Sequence, residues 1–181
     1  MQNLENVQLP PLDEIVTNLN YLIASKNIKT LLVFSENKGE GKSHFIYSVS
    51  PVFDSIYNKR VLILDFSESG TDSLNEILET NQSQSDLVFN TKFKGVDYIS
   101  DVDPINLNII ESEVISFYDL VLINSTNYRN EQNLAIPDFN IDGAIIIRTD
   151  KTLNSKFGKV TNSILDKNIP IVGIVYNGAI K

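Results

Sequence analysis

Short apolar runs alternate with amphipathic stretches over most of the chain. The runs are Lys29–Phe34, Val61–Asp65, Val96–Ile99, Asp119–Asn124, Ala144–Arg148 and Ile171–Tyr176, and most are continuously apolar rather than alternating. A strand with one face in water alternates, whereas a strand covered on both faces does not, so these runs predict a parallel sheet between layers of helix. Tyr176, inside the last run, is expected in the core. Two stripes repeat at helical period: Leu12, Ile15, Val16, Leu19, Leu22 and Ile23, and Leu153, Phe157, Val160 and Ile164. Pro10-Pro11 marks the start of the first helix, and Asn168 with Pro170 marks the end of the last. The segment Glu79–Gly95 is polar in its first half and has no period, which predicts a surface loop.

This order of strands and helices predicts a single α/β domain over residues 1–181, with a mostly parallel sheet and helices on both faces. At 181 residues the chain is long enough for a core of its own, and its 42% hydrophobic and 21% charged residues are those of a globular protein. The net charge of -8 disfavours nucleic acid and anionic lipid surfaces as partners. With no cysteine, disulfides and thiolate metal sites are excluded. No apolar run approaches the roughly 20 residues a membrane-crossing helix needs. The N-terminal stretch has neither the basic start nor the apolar core of a secretion signal. A cytoplasmic protein without direct membrane insertion is expected.

The candidate chemistry lies in "SENKGEGKSHF", Ser35–Phe45, directly after the first apolar run. Phosphate-binding loops of the form G-x-x-x-x-G-K-[ST] turn backbone N–H groups inward around phosphate. Their lysine neutralises the β/γ oxygens and their hydroxyl faces Mg²⁺. Gly39, Gly41, Lys42 and Ser43 fit, while Glu36 stands at the first glycine. The helix expected after the loop aims its positive end at the same anion. Pro51 falls about two turns into that helix and predicts a kink or an end there. The lone histidine, His44, reads as a surface residue. Asp65 closes a buried apolar run and needs a partner, which Lys42 or a bound cation would supply. Asp101 and Asp103 read as a capped loop before Pro104.

The loop resembles the S-x-x-P-G-E-G-K-S segment of bacterial tyrosine kinases of the capsule and exopolysaccharide type, within the MinD/ParA group of P-loop ATPases. In that family the position of Glu36 need not be glycine. Lys38 stands where proline is usual, and Asn37 holds the place of the signature lysine of the wider group. The stretches around Leu12–Ser35, "NKRVLILDFSES", "YDLVLINSTN", "DGAIIIRTDKTLNSKFGKV" and "IPIVGIVYNG" resemble the family's leader helix and first strand, Walker A′, Walker B and last two strands. The resemblance implies a single-domain P-loop NTPase fold that binds ATP or ADP, with Mg²⁺, through Gly39, Glu40, Gly41, Lys42 and Ser43. It implies catalytic roles for Lys42 and Asp65, metal contacts from Ser43 and Asp65, and adenine contact from Asn177; the plain alternative for Asn177-Gly178 is a turn. The implied partner is a polysaccharide co-polymerase-type membrane protein or a kinase paralogue, which would place the chain peripherally at the inner membrane.

The departures from the family bear on turnover. The Walker A′ pattern D-x-D-x-R is here Asp65-Phe66-Ser67-Glu68-Ser69, and the Walker B aspartate is Asn124, so two formal charges around magnesium are lost. Phosphoryl transfer depends on positioning and charge stabilisation, and each such loss costs on the order of 100- to 1000-fold in rate. The first helix carries Asp13 and Glu14 where the family has arginines that contact the next subunit of a ring, and the sequence has no tyrosine-rich tail. Three expectations follow: a degenerate nucleotide-binding regulator of polysaccharide biosynthesis or export with weak or no phosphotransfer; an active ATPase or tyrosine kinase with an altered metal site; or an interaction scaffold that binds no nucleotide.

Overall fold

Among the described residues seven strands form one sheet, in the order β3-β4-β2-β5-β1-β6-β7. The structure, a computed structural model, describes residues 12–66, 88–100, 107, 109–125, 140–149 and 154–178. The strands are β1 (Thr30–Ser35), β2 (Val61–Asp65), β3 (Phe89–Asn90), β4 (Val96–Ile99), β5 (Leu120–Asn124), β6 (Gly143–Arg148) and β7 (Ile171–Tyr176). All neighbours run parallel except β3, which pairs antiparallel with β4. Among the described residues the helices are α1 (Leu12–Lys26), α2 (Lys42–Tyr57) and α3 (Asn154–Leu165), with a short π and 3-10 segment at Ile110–Phe117.

Successive residues of β1 explain the continuous apolar runs. Leu31 and Val33 enter the core beneath α1 and α2, with Val16, Leu19, Ile23, Phe45, Val49 and Phe53. Leu32 and Phe34 enter the opposite core, with Ile110, Ile115, Ile164 and Ile169. Every residue of β1, β2 and β5 is buried, so both faces must be apolar. The parallel α/β architecture is as the apolar pattern predicts, and the P-loop arrangement of strand, glycine loop and helix is present.

Three asparagines with positive φ, Asn27 (52°), Asn58 (50°) and Asn168 (59°), sit just beyond the helices. Asparagine tolerates the left-handed conformation that ends a helix. After α2 the Asn58 and Lys59 N–H groups return to Asp54 O and Phe53 O.

Three expectations need correction. Of the kink or end expected at Pro51, the end does not occur: α2 runs on to Tyr57, with Phe45, Ile46, Val49 and Phe53 buried along one face. The described end of the Glu79–Gly95 segment is not a free loop: Phe89 and Asn90 pair with Tyr98 and Asp97, and Thr91 is buried with its hydroxyl on Val96 O at 2.7 Å. Tyr176 is not a core residue; it is 44% exposed, as is Ile174 at 55%, because β7 is an edge strand. Pro10-Pro11, Ser67, Glu68, Asp101 and Asp103 lie outside the described residues.

Candidate functional site

The sheet gathers the candidate residues at the C-terminal ends of its central strands. β1 delivers Ser35 into the loop, β2 ends at Asp65, and β5 between them ends at Asn124. Asp65 and Asn124 are direct register partners, and Asn124 also aligns with Val33 of β1. Crevices beyond the carboxyl ends of parallel strands are where such sheets bind ligands.

The loop is built for a tight reversal. Gly39 and Gly41 have φ of 83° and 98°, values that a side chain disfavours. Gly41 is the residue before α2, and its carbonyl accepts the Phe45 N–H at 2.8 Å, the first turn of the helix. The Glu40 carboxylate braces the loop from within: it accepts Asn37 N at 2.9 Å, Asn37 Nδ2 at 3.0 Å and Thr149 Oγ1 at 3.3 Å. Asn177, just past β7, donates from Nδ2 to Glu40 O at 3.0 Å. Lys38 and His44 are exposed, and Glu36 is buried.

Lys42 is buried, and its Nζ donates to Ser125 O at 2.6 Å. Ser125 is itself fixed to β1 through its hydroxyl on Val33 O at 3.0 Å. Burial lowers the Lys42 pKa from 10.5 to about 8, against the attraction of Asp65 and Glu40, which raises it. The helix N-terminus, the positive-φ glycines and this ammonium group fit an anion.

Asp65 has hydrogen-bond partners besides the expected lysine. Its Oδ2 accepts hydroxyl hydrogens from Tyr98 at 2.8 Å and Tyr47 at 3.2 Å, and its Oδ1 accepts Asn124 Nδ2 at 3.1 Å. Lys42 adds charge attraction at longer range. Burial and the Asp65 charge push both tyrosine pKa values up, so the hydroxyls remain donors. The same Asn124 amide nitrogen lies 3.0 Å from Ser43 Oγ. Among the described residues no group of three or more His, Cys, Asp or Glu side chains is placed to hold a metal ion. The residues present do not fit magnesium: an N–H donor stands between the two oxygens that would have to face it.

Comparison with solved structures places this architecture. The BceF tyrosine kinase domain superposes with a TM-score of 0.65 at 19% identity, over 92% of this chain and 76% of that one. The kinase domain of the Escherichia coli tyrosine kinase ETK does so with a TM-score of 0.63 at 16% identity, over 98% and 84%. A nucleotide-binding protein from Archaeoglobus fulgidus in complex with ADP gives 0.58 at 19%, over 90% and 71%. The fold is that of bacterial tyrosine-kinase domains and of MinD and ParA ATPases. No protein-family model and no curated protein matches the sequence. At these identities the likeness speaks for the fold.

Within that fold, Gly39, Glu40, Gly41, Lys42, Ser43, Asp65 and Asn177 come together around one loop. The sequence reading missed Tyr47, Tyr98, Ser125 and Thr149. A buried tyrosine needs a partner for its hydroxyl, and Tyr98 in the run Val96–Ile99 carried that signal. Nothing in the sequence pointed to the Ser125 carbonyl.

Proposed function

We propose that the chain is a nucleotide-binding regulator with a degenerate kinase-like P-loop site, acting in exopolysaccharide or capsule biosynthesis or export with weak or no phosphotransfer. One observation carries this reading. A phosphate loop with positive-φ glycines opens α2 beside Lys42, while the uncharged Asn124 stands between Ser43 and Asp65. The first half supports binding of ATP or ADP, and a neighbour of the same fold holds ADP. The second half supports poor catalysis, because nothing anionic at position 124 is available to organise a metal at the transferring phosphate. Lys42 would neutralise phosphate oxygens. Gly39, Glu40, Gly41 and Ser43 would offer main-chain N–H groups or the hydroxyl, and Asn177 would border the base. Asp65, held by two tyrosines and an amide, would serve as a fixed charge rather than a base.

The polysaccharide context comes from the motif resemblance and from neighbours that are tyrosine-kinase domains. The partner on this reading is a co-polymerase-type membrane protein or a kinase paralogue. Among the described residues no helix is long and apolar enough to cross a membrane, so membrane contact would pass through that partner.

A calorimetric titration with ATP and ADP, paired with phosphate-release and autophosphorylation assays, tests the proposal. Binding that Lys42→Ala abolishes, without turnover above that variant's background, is the expected result. Turnover that depends on Lys42 would favour the active-enzyme reading. The scaffold reading has one feature in its favour, the Lys42 ammonium already seated on Ser125 O. It predicts no thermal shift with either nucleotide, whereas a binder gains roughly 2–4 kcal/mol at 100 to 1000 times its dissociation constant.

A further inference from the structure

The nitrogen of Asn124 makes two hydrogen bonds, to Ser43 Oγ at 3.0 Å and to Asp65 Oδ1 at 3.1 Å, and the residue is fully buried. A primary amide has two N–H hydrogens, and here each has its own acceptor. The orientation of the amide follows from chemistry. Turned by half a rotation, it would set its oxygen against the Asp65 carboxylate at hydrogen-bond distance, an acceptor facing an acceptor. Asp65 has no freedom to turn away, since Tyr98 and Tyr47 hold its other oxygen.

This arrangement changes what Ser43 can do. In a P-loop site that uses magnesium, the loop hydroxyl gives the cation a lone pair and the residue closing the neighbouring strand is an aspartate. Here one of the two lone pairs of Ser43 Oγ already accepts a hydrogen from Asn124, on the side where a cation would share it with Asp65. The hydroxyl hydrogen of Ser43 is then directed away from Asn124, available to a phosphate oxygen above the loop.

We infer that, because the Asn124 amide bridges the two oxygens a divalent cation would have to face, nucleoside di- or triphosphate binds this loop without divalent metal, with Ser43 as a direct hydrogen-bond donor. The inference rests on the nucleotide-binding reading above and specifies the ligand as the metal-free polyphosphate anion. With both Asn124 N–H groups engaged by Ser43 and Asp65, the site suits an anion whose charge is balanced by Lys42 and the helix terminus rather than by a cation.

The test is titration of the full chain with ADP and with ATP, once in EDTA and once in excess MgCl₂, for the wild type and for Asn124→Asp. Manganese electron paramagnetic resonance on the same mixtures reads metal at the site directly. The wild type is expected to bind with affinities in EDTA and magnesium that agree within about threefold, and to show no protein-bound manganese–nucleotide signal. Asn124→Asp is expected to bind about tenfold or more tightly with magnesium than in EDTA, and to acquire the manganese signal. A wild type that binds about tenfold tighter with magnesium, or that carries manganese with its nucleotide, overturns the inference and leaves the nucleotide-binding reading standing. If neither protein binds nucleotide under either condition, both the reading and the inference fall. The wild-type pair of titrations decides the matter even where Asn124→Asp, with two buried carboxylates side by side, fails to fold.

Discussion

Asn177 reaches from the end of the edge strand β7 to the phosphate loop, donating from Nδ2 to Glu40 O at 3.0 Å. The contact exists because Gly41 has no side chain: a β-carbon there would collide with Asn177 Nδ2 and push it off Glu40 O. Gly41→Ala therefore meets two costs, the strain of a side chain at φ 98° and a collision with Asn177. Gly39→Ala, at φ 83° with nothing within 4 Å, meets only the first. Thermal melts should show Gly41→Ala less stable than Gly39→Ala, with about 1–2 kcal/mol from conformation common to both. Adding Asn177→Ala to Gly41→Ala should recover part of the excess and none of the shared strain. A double-mutant cycle with zero coupling would refute the contact.

The fold was legible because burial on both faces writes itself into sequence as apolar runs, as in Val61–Leu64 of β2, and the strands Val61–Asp65, Val96–Ile99 and Ile171–Tyr176 begin and end where the pattern places them. What the pattern cannot carry is strand order. Tyr176 sits in a run as apolar as the others, yet its exposure depends on β7 lying at an edge, which only the arrangement of the sheet decides. The two-residue β3 is too short to show any period. At the site, Gly39, Gly41, Lys42 and Ser43 were legible as a local motif. The tyrosines on Asp65 were not, since Tyr98 is 33 residues away and meets Asp65 through the parallel register of β2 and β4.

Tyr98 and Tyr47 share one acceptor, and the geometry ranks them. Tyr98 is almost wholly buried and 2.8 Å from Asp65 Oδ2, whereas Tyr47 is half-buried and at 3.2 Å. Tyr98→Phe should cost about 2 kcal/mol in urea unfolding, the usual worth of a buried hydrogen bond to a carboxylate, and Tyr47→Phe less. The pH sign follows from the same contacts. Both pKa values lie above the ordinary 10.0, so the folded state holds these protons more tightly. Their contribution is complete below about pH 10 and is lost above it, so alkaline unfolding of the wild type should coincide with tyrosinate absorbance. Tyrosinate appearing in the folded protein for every tyrosine would contradict this.

Asp142 fixes the entry to β1. Its Oδ2 accepts Lys29 N at 2.8 Å, Thr30 N at 2.8 Å and Thr30 Oγ1 at 2.9 Å, just before β6 begins. The carboxylate thus staples the start of one central strand to the start of its neighbour. Asp142→Ala strands donors in a part-buried place and should lower stability by about 1–3 kcal/mol. Asp142→Asn keeps an acceptor oxygen and should lose less. Equal losses in chemical denaturation would mean that charge, not hydrogen bonding, dominates.

Lys42 links anion binding to pH. Burial removes water from its ammonium group and brings the pKa from 10.5 to about 8, while the facing carboxylates of Asp65 and Glu40 pull the other way. Because the folded value lies below the unfolded one, the folded state carries the whole penalty below about pH 8, where lysine is charged in both states. Stability should rise from about pH 8 to 10.5 as the folded lysine loses its proton first, by at most ~3 kcal/mol. A phosphate group in the loop favours the charged lysine, so binding in this window must draw a proton from solvent. Calorimetry at about pH 9 in two buffers of different ionisation heat should register uptake approaching one proton per ligand, against much less near pH 7.5. Affinity should fall by up to about tenfold per pH unit above 8. Lys42→Ala should remove both the proton uptake and the pH slope. Binding that persists in that variant with the same uptake would assign the proton to another group and detach Lys42 from the ligand.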